Sequence, residues 1–317
     1  MPDEHTKDIH RYSYSRLDTF KSCPRKHHYL YVEQLPEPTN EYALKGSLFH
    51  KAVEIILKGE DPEEVYNEWK DKVDTGVIHA DRDQLEYSIN MYFSYYYKDF
   101  ENEETVAVEE EFEQQMDDED YFVGKVDEVY ELNGLFTVRD RKTTSGELKY
   151  TEEIVQTSPQ LLTYVKPIEE KFNRKVDVIE IDEVRLQKLA TEVPLVGKKG
   201  TPSKSLDTLS LVTADLYRAE LENQGLEEDP GYKAVLALLE QRGHPLFRRI
   251  KVQLLNRNIL ETNDEEIQNL YVGASIDLKY RIKDRSKCFM CPFKAICDHD
   301  EQMGGTLYRE KLIDTIE

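Results

Sequence analysis

An α/β (α+β) architecture follows from three patterns in the chain. Strand-like segments recur at residues 106–112, 121–130, 135–141, 176–186 and 247–255. The stretches before and between them carry apolar residues at helical spacing, over lengths too great for strands. The dipeptide Asn133-Gly134 joins the second and third strand segments directly, a strong signal for a tight antiparallel hairpin.

In chain order, residues 12–33 place Leu17, Phe20 and Cys23 at roughly helical spacing behind Ser13 or Ser15 as N-cap. This predicts an N-terminal helix that ends before Pro36-Glu37-Pro38. Residues 44–58 predict a second helix with Leu48, Phe49, Ala52, Val53, Ile55 and Ile56 on its buried face. Gly46 and His50 share one side of it, and the missing side chain beside the imidazole would admit a ligand or metal closely. Residues 61–100 read as helical and aromatic-rich, with Trp69, Tyr92 and Phe93 more suited to core than to base stacking. After the three strands, Ser158 caps a helix that Pro159 opens, and Gln160 and Tyr164 lie one turn apart on it. A strand follows at 176–186, then an inserted region at 188–243 made of a Gly/Lys/Ser loop at 197–204 and two helices. That loop lacks the glycine-lysine-Ser/Thr order that cradles phosphates at the start of a helix, which excludes an ATP site of that kind.

Composition describes a soluble globular chain: 317 residues, 39% hydrophobic and 33% charged, enough for a substantial core in one large domain or two small ones. No run approaches the roughly 18 apolar residues of a membrane span, and the polar first ten residues are no signal peptide. The expected setting is cytoplasmic, away from membranes, where cysteines stay reduced and bind metal more often than they pair. A net charge of −22 argues against a generic nucleic-acid coat protein. The charge is uneven, however. Residues 99–124 hold twelve acidic side chains and no basic one, whereas residues 279–287 hold Lys279, Arg281, Lys283, Arg285 and Lys287 against Asp284 alone. A nucleic-acid track would therefore be local.

All four cysteines are placed. Cys288, Cys291 and Cys297 form a C-x2-C-x5-C cluster, and Cys23 lies 265 positions earlier in Ser22-Cys23-Pro24. Four thiolates suit a cubane iron–sulfur cluster or a tetrahedral zinc. Either would clasp the two ends of the chain together, and a zinc ribbon more usually supplies two close CxxC pairs.

The chemistry concentrates at Asp140-Arg141-Lys142, where a strand containing Leu135, Phe136 and Val138 ends, thirteen residues after Asp127 of Gly124-Lys125-Val126-Asp127. Two carboxylates on neighbouring strands can hold a hard divalent cation, and Lys142 lies on the same strand face as Asp140. That set suits phosphodiester hydrolysis, the cation activating water and the ammonium stabilising developing charge. Ahead of these groups, His50 becomes a metal-ligand candidate. Gln160 and Tyr164 are suited to contact a phosphate or base, or to brace the lysine.

Taken in order, Gly46-x3-His50, Gly124-x2-Asp127, Asp140-x-Lys142 and Gln160-x3-Tyr164, enclosed by Cys23 and the three later cysteines, resemble the PD-(D/E)XK nucleases of the RecB type. The likeness is closest to the iron–sulfur branch that includes the AddB nuclease domain and the small CRISPR-associated RecB-like exonucleases, and to stand-alone members in phages. The segment Tyr14-Ser15-Arg16-Leu17 up to Cys23-Pro24-Arg25-Lys26 is similar to the start of that branch, and the resemblance spans residues 12–298. It implies a restriction-endonuclease-like core with a central mixed sheet flanked by helices. Within one nuclease domain over 1–317, that core would take residues 40–187 and 246–280, the inserted helical region 188–245, and an iron–sulfur lobe 12–33 plus 281–300. It further implies Mg²⁺ or Mn²⁺ held by His50, Asp127, Asp140 and the main-chain carbonyl of Arg141. Lys142 would act on the nucleophilic water, Gln160 and Tyr164 would position DNA and Lys142, and Cys23, Cys288, Cys291 and Cys297 would hold a [4Fe–4S] cluster. The implied substrate is DNA, single-stranded or end-containing, in recombination and repair, CRISPR adaptation or phage DNA metabolism, with protein partners in those processes. The competing expectation is a DNA-binding adaptor that keeps the fold with little or no catalysis.

Overall fold

The Asn133-Gly134 turn sets the register of the central sheet. Both residues take positive φ, 53° and 81°, the pair of left-handed conformations that a two-residue hairpin needs. The turn joins β3 (Asp120–Leu132) to β4 (Leu135–Thr144), with Leu132 opposite Leu135 and Glu128 opposite Arg139. The structure, a computed structural model, describes residues 10–37, 40–276 and 285–302. The basic run at 279–287 falls largely outside the described residues.

Around this hairpin the sheet is mixed. β2 (Glu104–Gln115) runs antiparallel along one edge of β3, while β1 (His10–Ser13) runs parallel to its first residues on the other edge. β5 (Val178–Arg185) is parallel to β4, and β8 (Phe247–Gln253) is antiparallel to β5. β1 and β4 therefore share one edge of β3: β1 takes residues 120–123 and β4 takes residues 128–132. Residues 124–127 lie in the fork between them, where β4 leaves β3 and continues beside β5 alone.

Helices cover both faces. Strand alternation sends Ile179 and Ile181 of β5 to one face and Val184 to the other. The first two join an apolar cluster with α1 (Tyr14–Ser22), α8 (Pro159–Phe172) and α11 (Asn258–Ser275). Val184 joins a second with α3 (Glu41–Leu57), α4 (Glu63–Asp74) and α5 (Gln84–Tyr95). Short helices α6 (Tyr97–Asn102) and α7 (Glu152–Gln156) connect strands to these layers. In the inserted region, a small ribbon of β6 (Leu195–Val196) and β7 (Thr201–Pro202) leads to α9 (Ala214–Gln224) and α10 (Pro230–Arg242). Val193, Leu209, Tyr217 and Leu239 there form an apolar cluster separate from the other two. None of the described helices is long and apolar enough to cross a membrane.

Two expectations need correction. The single N-terminal helix over 12–33 is a strand, then α1, then α2 (Pro24–His27) and a π turn at His28–Val32. The break falls at Cys23, extended at φ −158° and ψ 102°, because proline excludes the helical conformation from the residue before it. Ser13 is the cap, its Oγ accepting from the Arg16 amide at 3.3 Å. The second correction is α11, for which no helix was expected, although Leu260, Ile267, Tyr271 and Ala274 line one buried face of it.

On the α5 side the sheet carries a buried layer of charge. Arg139 is fully buried and pairs with Glu128 at 2.7 Å, Glu103 at 2.6 Å and Glu180. Arg141 turns its side chain the same way, to Glu128 and to the Tyr92 hydroxyl at 3.1 Å. Arg249 grips both oxygens of Asp182 at 2.6 Å. Burial alone would raise Asp182, but Arg249, Arg139 and Arg141 outweigh it and hold its carboxyl well below the usual range. Removing one member would strand its partners as buried unpaired charges. Arg139→Ala is therefore expected to destabilise the fold by about 3–5 kcal/mol, read as a lowered urea midpoint. A midpoint that does not move would show the layer to be dispensable.

Candidate active site

The fork exposes the end of the ladder to side chains. Where β4 leaves β3, the amide of Arg141 donates to Asp127 Oδ2 instead of to a backbone carbonyl. From α3, His50 Nδ1 lies 3.3 Å from Asp127 Oδ1. The close approach of α3 depends on Gly46, where a Cβ would lie 2.7 Å from Thr143 Oγ1 of β4. In the structure this glycine makes room for the strand. Gly124 works similarly: a Cβ would lie 2.3 Å from the Phe112 ring, which packs edge-on against Tyr164 at 5.7 Å.

Asp140 and Lys142 project from the same face of β4. Lys142 Nζ sits 2.7 Å from Asp140 Oδ2 and donates to Gln160 Oε1 at 2.7 Å. Gln160 Nε2 donates in turn to the Tyr164 hydroxyl at 2.6 Å. A chain of contacts thus runs from α8 to the lysine and on to the carboxylate. Of Arg141 the site receives only backbone, since its side chain belongs to the buried layer. His50, Asp127, Asp140, Lys142, Gln160 and Tyr164 are all brought into one region, and the electrostatic influence of Asp140 reaches His50, Lys142 and Tyr164.

Sequence reasoning missed Glu109. Its carboxylate, His50 and Asp127 present ligand atoms all within 4.8 Å of one another. Glu109 also has a positive φ of 54°, a conformation that non-glycine residues rarely adopt and that clusters at functional sites. Within the acidic run at 99–124 nothing but its strand register to Asp127 would have singled it out. It pairs with Lys125, yet burial and the neighbouring Asp127 raise its carboxyl above the ordinary value.

The charges in this region are unbalanced in one direction. Asp140 is 3% exposed; burial pushes its carboxyl up to about 6, and Asp127 adds to the rise against the opposing Lys142. Its Oδ2 meets Lys142 as an ion pair but receives no well-oriented hydrogen bond. Burial would raise Asp127 too, but His50 and the Arg141 amide bring it below the usual range. Burial lowers His50 and Lys142, and the two aspartates more than reverse this, so both bases bind protons more tightly than normal. Three carboxylates and an imidazole, one carboxylate oxygen lacking a hydrogen bond, are a donor set suited to a hard divalent cation.

The cysteines gather elsewhere. Cys23 and Cys297 are buried, and Cys297 packs with Tyr29, Phe293, Ile296 and Cys291. Cys288 lies in a 3₁₀ turn (Arg285–Met290), Cys291 directly follows it, and Cys297 lies in α12 (Lys294–Gln302). Burial raises the Cys291 thiol, with Cys23 and Cys288 close enough to add to the rise and Lys26 to oppose it. Arg25 Nη1 lies 3.7 Å from Cys297 Sγ. Four sulfurs from both ends of the chain, with cationic neighbours, suit a negatively charged metal–thiolate centre.

A forked mixed sheet with two aspartates and a lysine at the fork is the layout of a metal-dependent nuclease. The PD-(D/E)XK nuclease superfamily model matches residues 11–298, and the chain belongs to that superfamily. No curated protein matches the chain.

If Glu109 shares a cation with His50 and Asp127, Glu109→Gln should weaken Mn²⁺ binding by about tenfold or more. Calorimetric titration of metal-stripped protein measures this, and an unchanged affinity would remove Glu109 from the ligand set.

Proposed function

We propose that the protein is a DNA exonuclease acting on single-stranded ends. In this reading His50, Asp127, Asp140 and the Arg141 main-chain carbonyl hold Mg²⁺ or Mn²⁺, and Cys23, Cys288, Cys291 and Cys297 hold a structural [4Fe–4S] cluster. The observation that carries it is Lys142, fixed at 2.7 Å from both Asp140 and Gln160 beside the His50–Asp127–Glu109 group. When bound, a divalent ion supplies an activated water and charge neutralisation. The protein's own groups do the rest. Asp140 outweighs burial and keeps Lys142 protonated, so the lysine serves as a fixed positive charge that orients water and stabilises oxygen as charge develops. Gln160 and Tyr164 limit its rotamers, which spares reorganisation at the moment of reaction. Action on DNA ends and the cluster are supported by the likeness of the motif order and split cysteine set to the RecB-type iron–sulfur branch. Nothing in hydrolysis requires an electron, so the cluster acts as a clasp.

Replacing Asp140 or Lys142 by alanine should cut the release of mononucleotides from an end-labelled oligonucleotide by about 10³-fold or more, with Mn²⁺ or Mg²⁺ present and the circular dichroism unchanged. Variants as fast as the parent would refute the assignment. Anaerobically purified protein should contain about four irons and four sulfides, and Cys23→Ala should lose iron and melt earlier. Stoichiometric zinc in a colourless protein would overturn the cluster.

A further inference from the structure

The buried and half-buried arginines around the sheet fall into two groups. Arg139, Arg141 and Arg249 are each matched to carboxylates. Arg185 and Arg242 are not, nor is Arg248 beside them: none of the three forms an ion pair among the described residues. They line a cavity of about 340 Å³ between the sheet and the inserted region. Arg185 is only 8% exposed, and the Nε atoms of Arg185 and Arg242 are both buried without a hydrogen-bond partner. Their remaining known contacts are to neutral carbonyls: Arg185 to Ser210 at 3.2 Å, Arg242 to Leu209 at 3.0 Å and Val212 at 2.5 Å, and Arg248 to Tyr150 at 3.0 Å. Glu147 is the cavity's one carboxylate, on an exposed residue. Its field reaches Arg185 and Arg242, but one exposed carboxylate does not balance a buried Arg185 with two half-buried arginines beside it, and an anion in the cavity would complete the group.

Shape narrows the anion. The volume is in the range of small-molecule sites and exceeds what a bare phosphate needs. Leu206, Leu238 and Pro245 supply an apolar wall beside the arginines. The combination fits a phosphate with an attached nucleoside. Position narrows it further. Arg248 lies in register with Glu183 and through it with Lys142, and Arg185 lies in register with Thr144. Paired residues share a sheet face, so both arginines leave the sheet on the side of Asp140 and Lys142. Two residues of strand and one inter-strand step put the Lys142 and Arg185 backbones about 8 Å apart, close enough for neighbouring nucleotides of one strand to span the two.

We infer that this cavity binds a nucleotide through its phosphate, as the subsite next to the scissile bond on the strand being cut. The strand assignment rests on the nuclease reading; the phosphate chemistry does not. Two variants test it: Arg242→Gln, which removes a cation, and Leu238→Glu, which adds a repelling charge at a half-exposed position without touching any arginine hydrogen bond. Binding of a labelled single-stranded oligonucleotide in EDTA should weaken about fivefold or more in each, and in Arg242→Gln the slope of log affinity against log salt should fall by about 0.7 for one lost phosphate contact. In parallel, 2′-deoxyadenosine 5′-monophosphate should raise the melting temperature of the parent and not of the variants. Loss of the nucleotide effect with oligonucleotide binding intact would keep the phosphate site and overturn its place on the strand. Variants that match the parent in both assays would overturn the site altogether. Since no cleavage is read, an inert Asp140→Ala protein gives the same answer, so failure here is separable from failure of the hydrolytic reading.

Discussion

Everything at the fork depends on the register of one hairpin. With Asn133 and Gly134 both at positive φ, Leu132 must face Leu135, and counting back places Asp127 level with Asp140. A slip of one residue would turn Asp140 and Lys142 to the opposite face and bring Arg139 and Arg141 into their place. That exchange would bury two carboxylates with no cation and strand two guanidinium groups at the fork. The two faces of β4 are so unlike in charge that only one register is tolerable, and the turn selects it.

The alternation of β4 also separates two electrostatic tasks. Its odd-numbered arginines are fully matched with Glu128, Glu180 and Glu103 and make the strand rigid. Its even-numbered Asp140 is left short of positive charge, with Asp127 and Glu109 nearby. A site built to hold a cation must be unstable toward its own carboxylates when empty, and such strain persists only where the surroundings are overdetermined. The matched layer on the reverse side of the same strand supplies that constraint. The adjacency of Arg139 and Arg141 to Asp140 and Lys142 therefore has a structural meaning.

The parts of this arrangement that were legible in the sequence are those fixed by local chemistry. Asn133-Gly134 announces its turn, Ser158-Pro159 announces the start of α8, and Asp-x-Lys at a strand end fixes which side chains share a face. Glu109 was hidden because its neighbours are also acidic, and its distinction is a backbone angle and a register, both set by tertiary contacts. The break at Cys23 could have been seen, since Pro24 excludes a helical Cys23, but apolar periodicity on both sides masked it. Helix α11 lies hidden between the strand at 247–255 and a conspicuous basic run, and its buried face includes Asn263 and small Ala274 among its larger apolar groups. Gly46 was read for the space it leaves a ligand, whereas its contact is with Thr143, a strand distant in sequence.

The overall acidity of the chain and a polyanionic substrate are compatible only if positive charge is concentrated where the strand passes. Arg185 and Arg242 do this economically, because the same guanidinium groups that line the cavity also hold the carbonyls of Leu209, Ser210 and Val212. The loop carrying Leu206 is thereby tied to the sheet, and the cavity exists because the inserted region is docked. Removing the insertion would delete Arg242 and expose Arg185 together, which explains why a region outside the sheet and its two helical layers can still belong to the working face. Charge elsewhere is spent on internal pairs that cancel: of the arginines buried on the opposite face, each meets a carboxylate within the protein. A strand of nucleic acid approaching this surface is repelled by most of it and attracted at few points, so the distribution of charge can guide the strand to the fork even though its sum opposes binding.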